Sequence, residues 1–253
     1  MRGHFVFQNT VSAAIFFTNK SNFIKLIILE RGKEKPVSDP TLIVLAGGPS
    51  SGKTSVINRL RARFVPPKDT GRERDHRVMF FPEMATMWLD ICNVLPPGER
   101  PDNVQHLVAF QRAIYGGYAR LHEYVLSLAR VTGARVVILD RGAPDGLAYL
   151  LDHGGRELFE RDVMSGGSLE DAFALYHHVF LLESMARGRP DEYRVELGNE
   201  VRMEGTLEVA AELDRRIWKV WQMHRSVTKL HCHDDIDYKP RMVLDFVENL
   251  LDA

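Results

Sequence analysis

The chain is poor in the features that would place it outside the ordinary globular proteins. It has two cysteines, Cys92 and Cys232, in 253 residues. Two thiols build no disulfide framework, and such sparing use points to a reducing compartment. The net charge is only −1 at pH 7, which excludes a global attraction to nucleic acid or to an anionic membrane. Long apolar runs are missing too. VSAAIFF, near the start, is far too short to span a bilayer, and no small-residue cleavage site follows it, so it does not read as a secretory signal. Internal repeats and low-complexity tracts are absent as well.

What is present is unevenly placed. No acidic residue precedes Glu30, whereas Arg2, Lys20 and Lys25 are basic. Residues 1–40 therefore read as an extension. An additional strand (FIKLIILE), a mitochondrial-type presequence and an over-long gene start all suit it. RGKEKPVSDP would be its charged, Pro-bearing linker. Location follows this choice: cytoplasmic, or mitochondrial if the presequence is genuine. Between Arg59 and Arg77 seven Lys/Arg face three Asp/Glu. That reads as a solvated helix end and loop or as a phosphate-facing or partner-facing patch. His231-Cys232-His233 resembles a metal tripod, but strand alternation would send its two imidazoles and its thiol to opposite faces.

From residue 41 onward strands and helices alternate. TLIVLA (41–46), RVMFF (77–81), ARVVILD (134–140), HHVFLLE (177–183) and SVTKLHCH (226–233) read as strands. They are apolar throughout rather than alternating, which predicts a parallel sheet covered on both faces. Helices are expected over 53–64, 84–94, 102–130, 206–224 and 239–251, with a helical but glycine-broken stretch at 143–175. The strongest is 102–130, where apolar residues recur at steps of three and four. The expectation is an α/β domain over 41–253.

The segment between the first strand and the first helix is GGPSSGKTS. Gly47 to Thr54 matches the G-x-x-x-x-G-K-[ST] phosphate loop, in the strand-then-helix context that the motif requires. Glycines let the backbone curl so that successive N–H groups converge on phosphate oxygens. The following helix contributes its free amides and the positive end of its dipole. Gly47, Gly48, Pro49, Ser50, Ser51, Gly52, Lys53, Thr54 and Ser55 are thus the expected nucleotide-binding residues. Lys53 would reach the β- and γ-phosphates, and the Thr54 hydroxyl would go to Mg²⁺. ATP or GTP, with Mg²⁺, are the expected ligands; no base-reading motif separates the two.

Three further stretches refine the chemistry. FFPEM puts Glu83 just past a strand, at the sheet edge where ligands bind. It suits either a general base for an attacking hydroxyl or a helix-start carboxylate. VVILDRG ends a strand in Asp140, a position that holds Mg²⁺ in nucleotide-binding sheets, or that caps the next helix. The adjoining Arg141 has the fork geometry for a phosphate or substrate oxygen. RGRPDEYRVELGNEVR follows the fourth strand and carries Arg187, Arg189, Arg194 and Arg202. It reads as a plain solvated loop or as a mobile lid that brings arginines to the transferring phosphoryl group, with Arg187 and Arg189 nearest the strand end. Gln111 lies on the apolar stripe of the long helix, so its amide needs a partner. That partner is a substrate or buried backbone; Arg112 and Tyr115, beside it, have the same two readings.

Together GGPSSGKTS, FPEMAT, FQRAIYGGY, ILDRGAPDGLAYL and NEVRMEGTLEVAAELD resemble the AAA-type P-loop domain of the NadR and TRPL-translocation-defect protein group, itself similar to nucleoside and nucleotide kinases. The resemblance covers roughly residues 41–250. It implies a three-layer P-loop NTPase fold, a five-stranded parallel sheet in the order 2-3-1-4-5 with helices on both faces, and an Arg-bearing lid. It implies Glu83 as general base, with Asp140 and Arg141 as the acidic-Arg pair ending the third strand. Members differ in activity: some look like ribosylnicotinamide kinases, others like GTP-binding regulators with an additional domain. The expectation for this chain is a phosphotransferase acting on a small-molecule hydroxyl, such as that of a nucleoside or nucleotide. The alternative is a nucleotide-dependent switch without an acceptor. The little sequence outside 41–250 favours the first.

Overall fold

The computed structural model describes residues 39–87, 104–193 and 206–253, and the backbone of two short strands at 14–15 and 26–27. The chain divides into two units, Met1–Val37 and Ser38–Ala253. In the first, β1 (Ala14–Ile15) pairs antiparallel with β2 (Leu26–Ile27); the latter lies within the FIKLIILE stretch.

The second unit runs β3 (Thr41–Ala46), α1 (Lys53–Phe64), β4 (Val78–Phe81), α2 (Met84–Thr86), α3 (Val104–Thr132) and β5 (Val136–Asp140). After β5 come α4 (Asp145–Ala148), α5 (Gly155–Leu158), a π-helical turn at Phe159–Val163 and α6 (Leu169–Ala174). It closes with β6 (His178–Leu182), α7 (Met185–Gly188), α8 (Leu207–Trp221), β7 (Val227–Leu230) and α9 (Tyr238–Asp252). All pairings in its sheet are parallel, in the order β4-β5-β3-β6-β7. Counted from β3, that is 2-3-1-4-5.

Pleating sorts each strand between two cores. Leu42, Val44, Val137, Leu139, Val179 and Leu181 pack against α3, α4, α6 and α8. Ile43, Leu45, Ile138, Phe180 and Leu230 point the other way, onto Val56, Leu60 and Phe64 of α1 and Val243 and Val247 of α9. β3, the middle strand, is buried from Leu42 to Ala46. Its carboxyl end, where α1 begins, is therefore held on both faces and both edges.

One expectation shifts. The 226–233 strand ends at Leu230, so His231, Cys232 and His233 follow the loop and not strand alternation. The 143–175 stretch is several short helices, because Gly154, Gly155 and Gly166 take left-handed φ values and break the run. Residues 88–94 of the expected 84–94 helix lie outside the described residues, as does Cys92. Among the described residues no helix is long and apolar enough to cross a membrane.

Candidate functional site

The chain leaves β3 at Ala46 and re-enters helix at Lys53 through a tight curl. Gly52 takes φ 92°, in the left-handed region that glycine tolerates without a Cβ penalty. Ser50 also has positive φ, 54°, a conformation that costs a non-glycine residue of order 1–3 kcal/mol and persists only where the surroundings impose it. The first turn of α1 receives no side-chain cap, which leaves its amides for another acceptor. Lys53 Nζ folds back over the curl and donates to Gly47 O at 2.8 Å, Gly48 O at 3.1 Å and Ser51 Oγ at 3.2 Å.

Three of the expected residues meet beside this lysine. Glu83, past the end of β4, ion-pairs with Arg141 and accepts from Thr86 Oγ1 at 2.9 Å. Arg141, the residue after β5, has φ 69°. It also lies 3.5 Å from Asp145 and donates to Gly47 O at 3.4 Å. Asp140 ends β5, and its Oδ1 is buried without a hydrogen-bond partner. Around Lys53 and Arg141 stand three carboxylates, Glu83, Asp140 and Asp145. The balance is negative, and Asp140 Oδ1 and Asp145 Oδ1 both lack a hydrogen-bond donor, Arg141 lying 3.5 Å from the second. Asp140, with the exposed hydroxyl of Thr54 that follows Lys53, suits a divalent cation that also takes phosphate oxygens.

Electrostatics follow from the crowding. Burial lowers the Lys53 ammonium to about 8, and Arg141 pushes the same way against the pull of Asp140 and Glu83. Burial alone would raise the Glu83 carboxyl, but Arg141 and Lys53 outweigh it and hold it below the usual range. Asp140 and Asp145 are raised, burial being the largest cause in each.

The rest of the curl is braced from outside. Gly48 N donates to Asp214 on α8 at 2.8 Å, and Ser184 Oγ donates to Pro49 O. Met185 N donates to Ser50 O at 3.2 Å, and Lys239 of α9 donates to Ser51 O at 3.1 Å and Glu183 O at 2.6 Å. Beyond this outer face lies a cleft of about 280 Å³, lined in part by Ser51, Gly52, Ser55, Arg189, His233 and Lys239.

A chain that curls at the carboxyl end of a middle parallel strand, lysine first in the next helix and a strand-end aspartate beside it, is a P-loop site. A model of the AAA domain family matches residues 42–229. The chain belongs to the AAA domain family. This AAA domain also superposes on a crystal structure of NadR protein in complex with NR, with a TM-score of 0.53 and 17% identity. The match covers 86% of this chain and 53% of that one, so the AAA domain spans about half the NadR chain. At that identity the likeness is one of fold, and it agrees with the NadR-type P-loop domain that the motifs resemble. No curated protein sequence matches.

The other expected residues of the AAA domain lie elsewhere. Gln111 is buried, with Oε1 packed so tightly on Gly146 that a Cβ there would stand 2.6 Å away. Arg112 is exposed and donates to the Asp162 carbonyl. Tyr115 sits edge-on to Phe159, with ring centroids 6.2 Å apart. Arg187 is held by Asp214 and Glu183, and Arg189 by Glu192 and Asp234. Arg194 and Arg202 lie outside the described residues.

Asp145, Asp214, Ser184 and Lys239 were not legible as site residues. Two carried a signal. Asp145 stands four residues after Arg141, the spacing of a helical ion pair. Asp214 falls four residues after Ala210 on the apolar stripe of its helix, where a carboxylate must have buried donors.

Proposed function

We propose that this P-loop domain is a Mg²⁺-dependent phosphotransferase. It would move the terminal phosphoryl group of ATP or GTP to a hydroxyl of a small molecule such as a nucleoside or nucleotide. The observation that carries this reading is Glu83: a carboxylate at the sheet's carboxyl edge, ion-paired to Arg141 and within electrostatic reach of the P-loop lysine. A carboxylate so placed can take the proton of an acceptor hydroxyl or of a water, and the acceptor panel below separates the two.

In this reading Glu83 takes the proton of the acceptor hydroxyl as its oxygen attacks phosphorus. The Arg141 pair lowers the basicity of Glu83 while the pocket is closed on itself. An incoming acceptor must therefore draw Arg141 toward its own oxygens, which frees the base and orients the acceptor together. Lys53 and Arg141 then face the charge spread over the phosphoryl oxygens. Mg²⁺, held through Asp140 and Thr54, would neutralise phosphate charge.

A second reading, a nucleotide-dependent switch, draws on a different observation. The carbonyls and amides of residues 48–51 are tied to α7, α8 and α9, so a change in the loop would move those elements.

The test is nucleotide turnover in Mg²⁺ with a panel of nucleosides, nucleotides and sugars. NR belongs first in the panel, since the matched NadR structure holds it. A phosphotransferase releases diphosphate sharply faster with one acceptor class. Glu83→Gln should then slow transfer by about 10²–10⁴-fold, with triphosphate affinity within about threefold. Slow turnover indifferent to every acceptor would favour the switch, and transfer by Glu83→Gln at the wild-type rate would remove the base.

A further inference from the structure

The proposed chemistry leaves one fully buried carboxylate beside the P-loop unused. Asp214 has 0% of its side chain exposed. Its Oδ1 accepts from Gly48 N at 2.8 Å and from Ser184 N at 3.3 Å. Its Oδ2 faces Arg187 Nε at 2.9 Å without the alignment of a hydrogen bond, so that contact is an ion pair. Arg187 also lies 3.2 Å from Glu183, and its guanidinium stacks on Trp218 at 4.0 Å. It is thus pinned by Asp214 and Trp218 of α8 and by Glu183 just past β6.

The placement sets two requirements against each other. The loop needs an acceptor behind Gly48, and packing is so close there that a Cβ on Gly48 would meet Asp214 Cβ at 2.8 Å. A triphosphate on the same loop is repelled by any net negative charge behind it. Inside a protein such repulsion acts over several ångströms, enough to change affinity by about tenfold or more.

We propose that Arg187 and Asp214 form a neutralising pair that positions the P-loop. Asp214 fixes Gly48 from behind, and Arg187 cancels its charge toward the nucleotide, while Lys239 faces Glu183. Arg187 is then a positioning residue and does not touch the transferring phosphoryl group. This rests on the nucleotide-binding reading of the loop.

The experiment is calorimetric titration of wild type, Arg187→Gln, Asp214→Asn and the double variant. The ligands are the tri-, di- and monophosphates of adenosine and guanosine with Mg²⁺, and thermal melts accompany each protein. Arg187→Gln should weaken triphosphate binding about tenfold or more, diphosphate less and monophosphate least, because the repulsion scales with ligand charge. The double variant should return to within about threefold of wild type, since Asn can still accept from Gly48 N–H. Asp214→Asn alone should bind triphosphate as tightly as wild type or more tightly. A double variant as weak as Arg187→Gln would overturn the proposal, as would a loss equal across the three phosphate lengths. If Arg187→Gln does not fold, the other two decide: a double variant tenfold or more weaker than wild type gives Arg187 a direct contact and overturns the proposal. Wild type that binds no triphosphate would remove the nucleotide reading itself, whereas binding that ignores every substitution removes only this pair.

Discussion

The two flanks of the P-loop are built on opposite principles. On the inner flank Lys53, Glu83, Asp140, Arg141 and Asp145 crowd into a part-buried cluster, and each is shifted by burial or by its neighbours. On the outer flank Asp214 and Lys239 hold backbone atoms of the loop, with Ser184 and Met185 beside them, and the charges at the rim of the cleft are solvated: Asp234 is 95% exposed. Buried charges must be balanced locally, so any change there alters the field at the reacting atoms. Exposed charges are screened and replaceable. On the proposed reading chemistry falls to the first flank and ligand fit to the second, and that contrast can be tested by removing groups from each.

Lys53 should give the largest effect on binding. A hydrogen bond to a charged partner contributes about 1.5–3 kcal/mol, so Lys53→Ala should weaken triphosphate binding on the order of 10²-fold. Stability should behave differently. A buried ammonium with a lowered pKa is a cost to the fold, so the same variant should melt no lower than wild type. A variant that both binds normally and melts normally would deny Lys53 any part in the inner flank.

Gly48→Ala comes next, at the seam between the flanks. Its methyl would lie 2.8 Å from Asp214 Cβ and 2.9 Å from Oδ1. Those are buried atoms of α8, so relief requires moving helix or loop, and overpacking of this kind costs about 1–3 kcal/mol. Chemical denaturation should show that loss, together with weaker triphosphate binding. An unchanged midpoint would mean that the loop is not seated on Asp214.

How much of this could be read beforehand follows the same division. The parallel sheet was legible because its strands are apolar on both sides. The inner flank was legible because strand ends and a loop motif fix Lys53, Glu83, Asp140 and Arg141 at one sheet edge. Strand order came from the resemblance rather than from the residues. The outer flank was obscure. Lys239 and Ser184 act through backbone carbonyls at long sequence distance, which leaves no pattern. Arg187 shows the limit clearly. Composition marks it as a lid cation, yet its surroundings, Asp214 and Trp218, come from a helix some thirty residues later.

Proton linkage sharpens the comparison at lower amplitude. Lys53 titrates at about 8 in the nucleotide-free domain, and a bound phosphate would raise that value. Binding should therefore be insensitive to this group below pH 8. Above it, binding should take up a proton and weaken by up to about tenfold per pH unit. Free of nucleotide, the sign reverses: the unfolded lysine titrates near 10.5, so between 8 and 10.5 the unfolded chain binds more protons and the Lys53 contribution to stability rises with pH. Lys53→Arg stays charged throughout and should lack the inflection in binding. An identical profile for wild type and Lys53→Arg would assign the pH dependence to another group.

The smallest effect is expected at Arg189, on the outer flank. It bridges Glu192, after α7, and Asp234, after β7, across one side of the cleft. Pairs this exposed contribute little to stability, so Arg189→Ala should move the melting temperature by less than about 3 °C. The bridge ties the two walls of the cleft together, so its loss should speed both nucleotide association and dissociation by a few-fold, with little change in affinity. The difference from wild type should shrink as salt screens the pair. Stopped-flow measurements with a fluorescent triphosphate, at two salt concentrations, read both rates. If Arg189→Ala instead binds normally but loses phosphoryl transfer by 10²-fold or more, Arg189 must leave its carboxylates during the reaction. The outer flank would then carry chemistry, and the division between the flanks would fail.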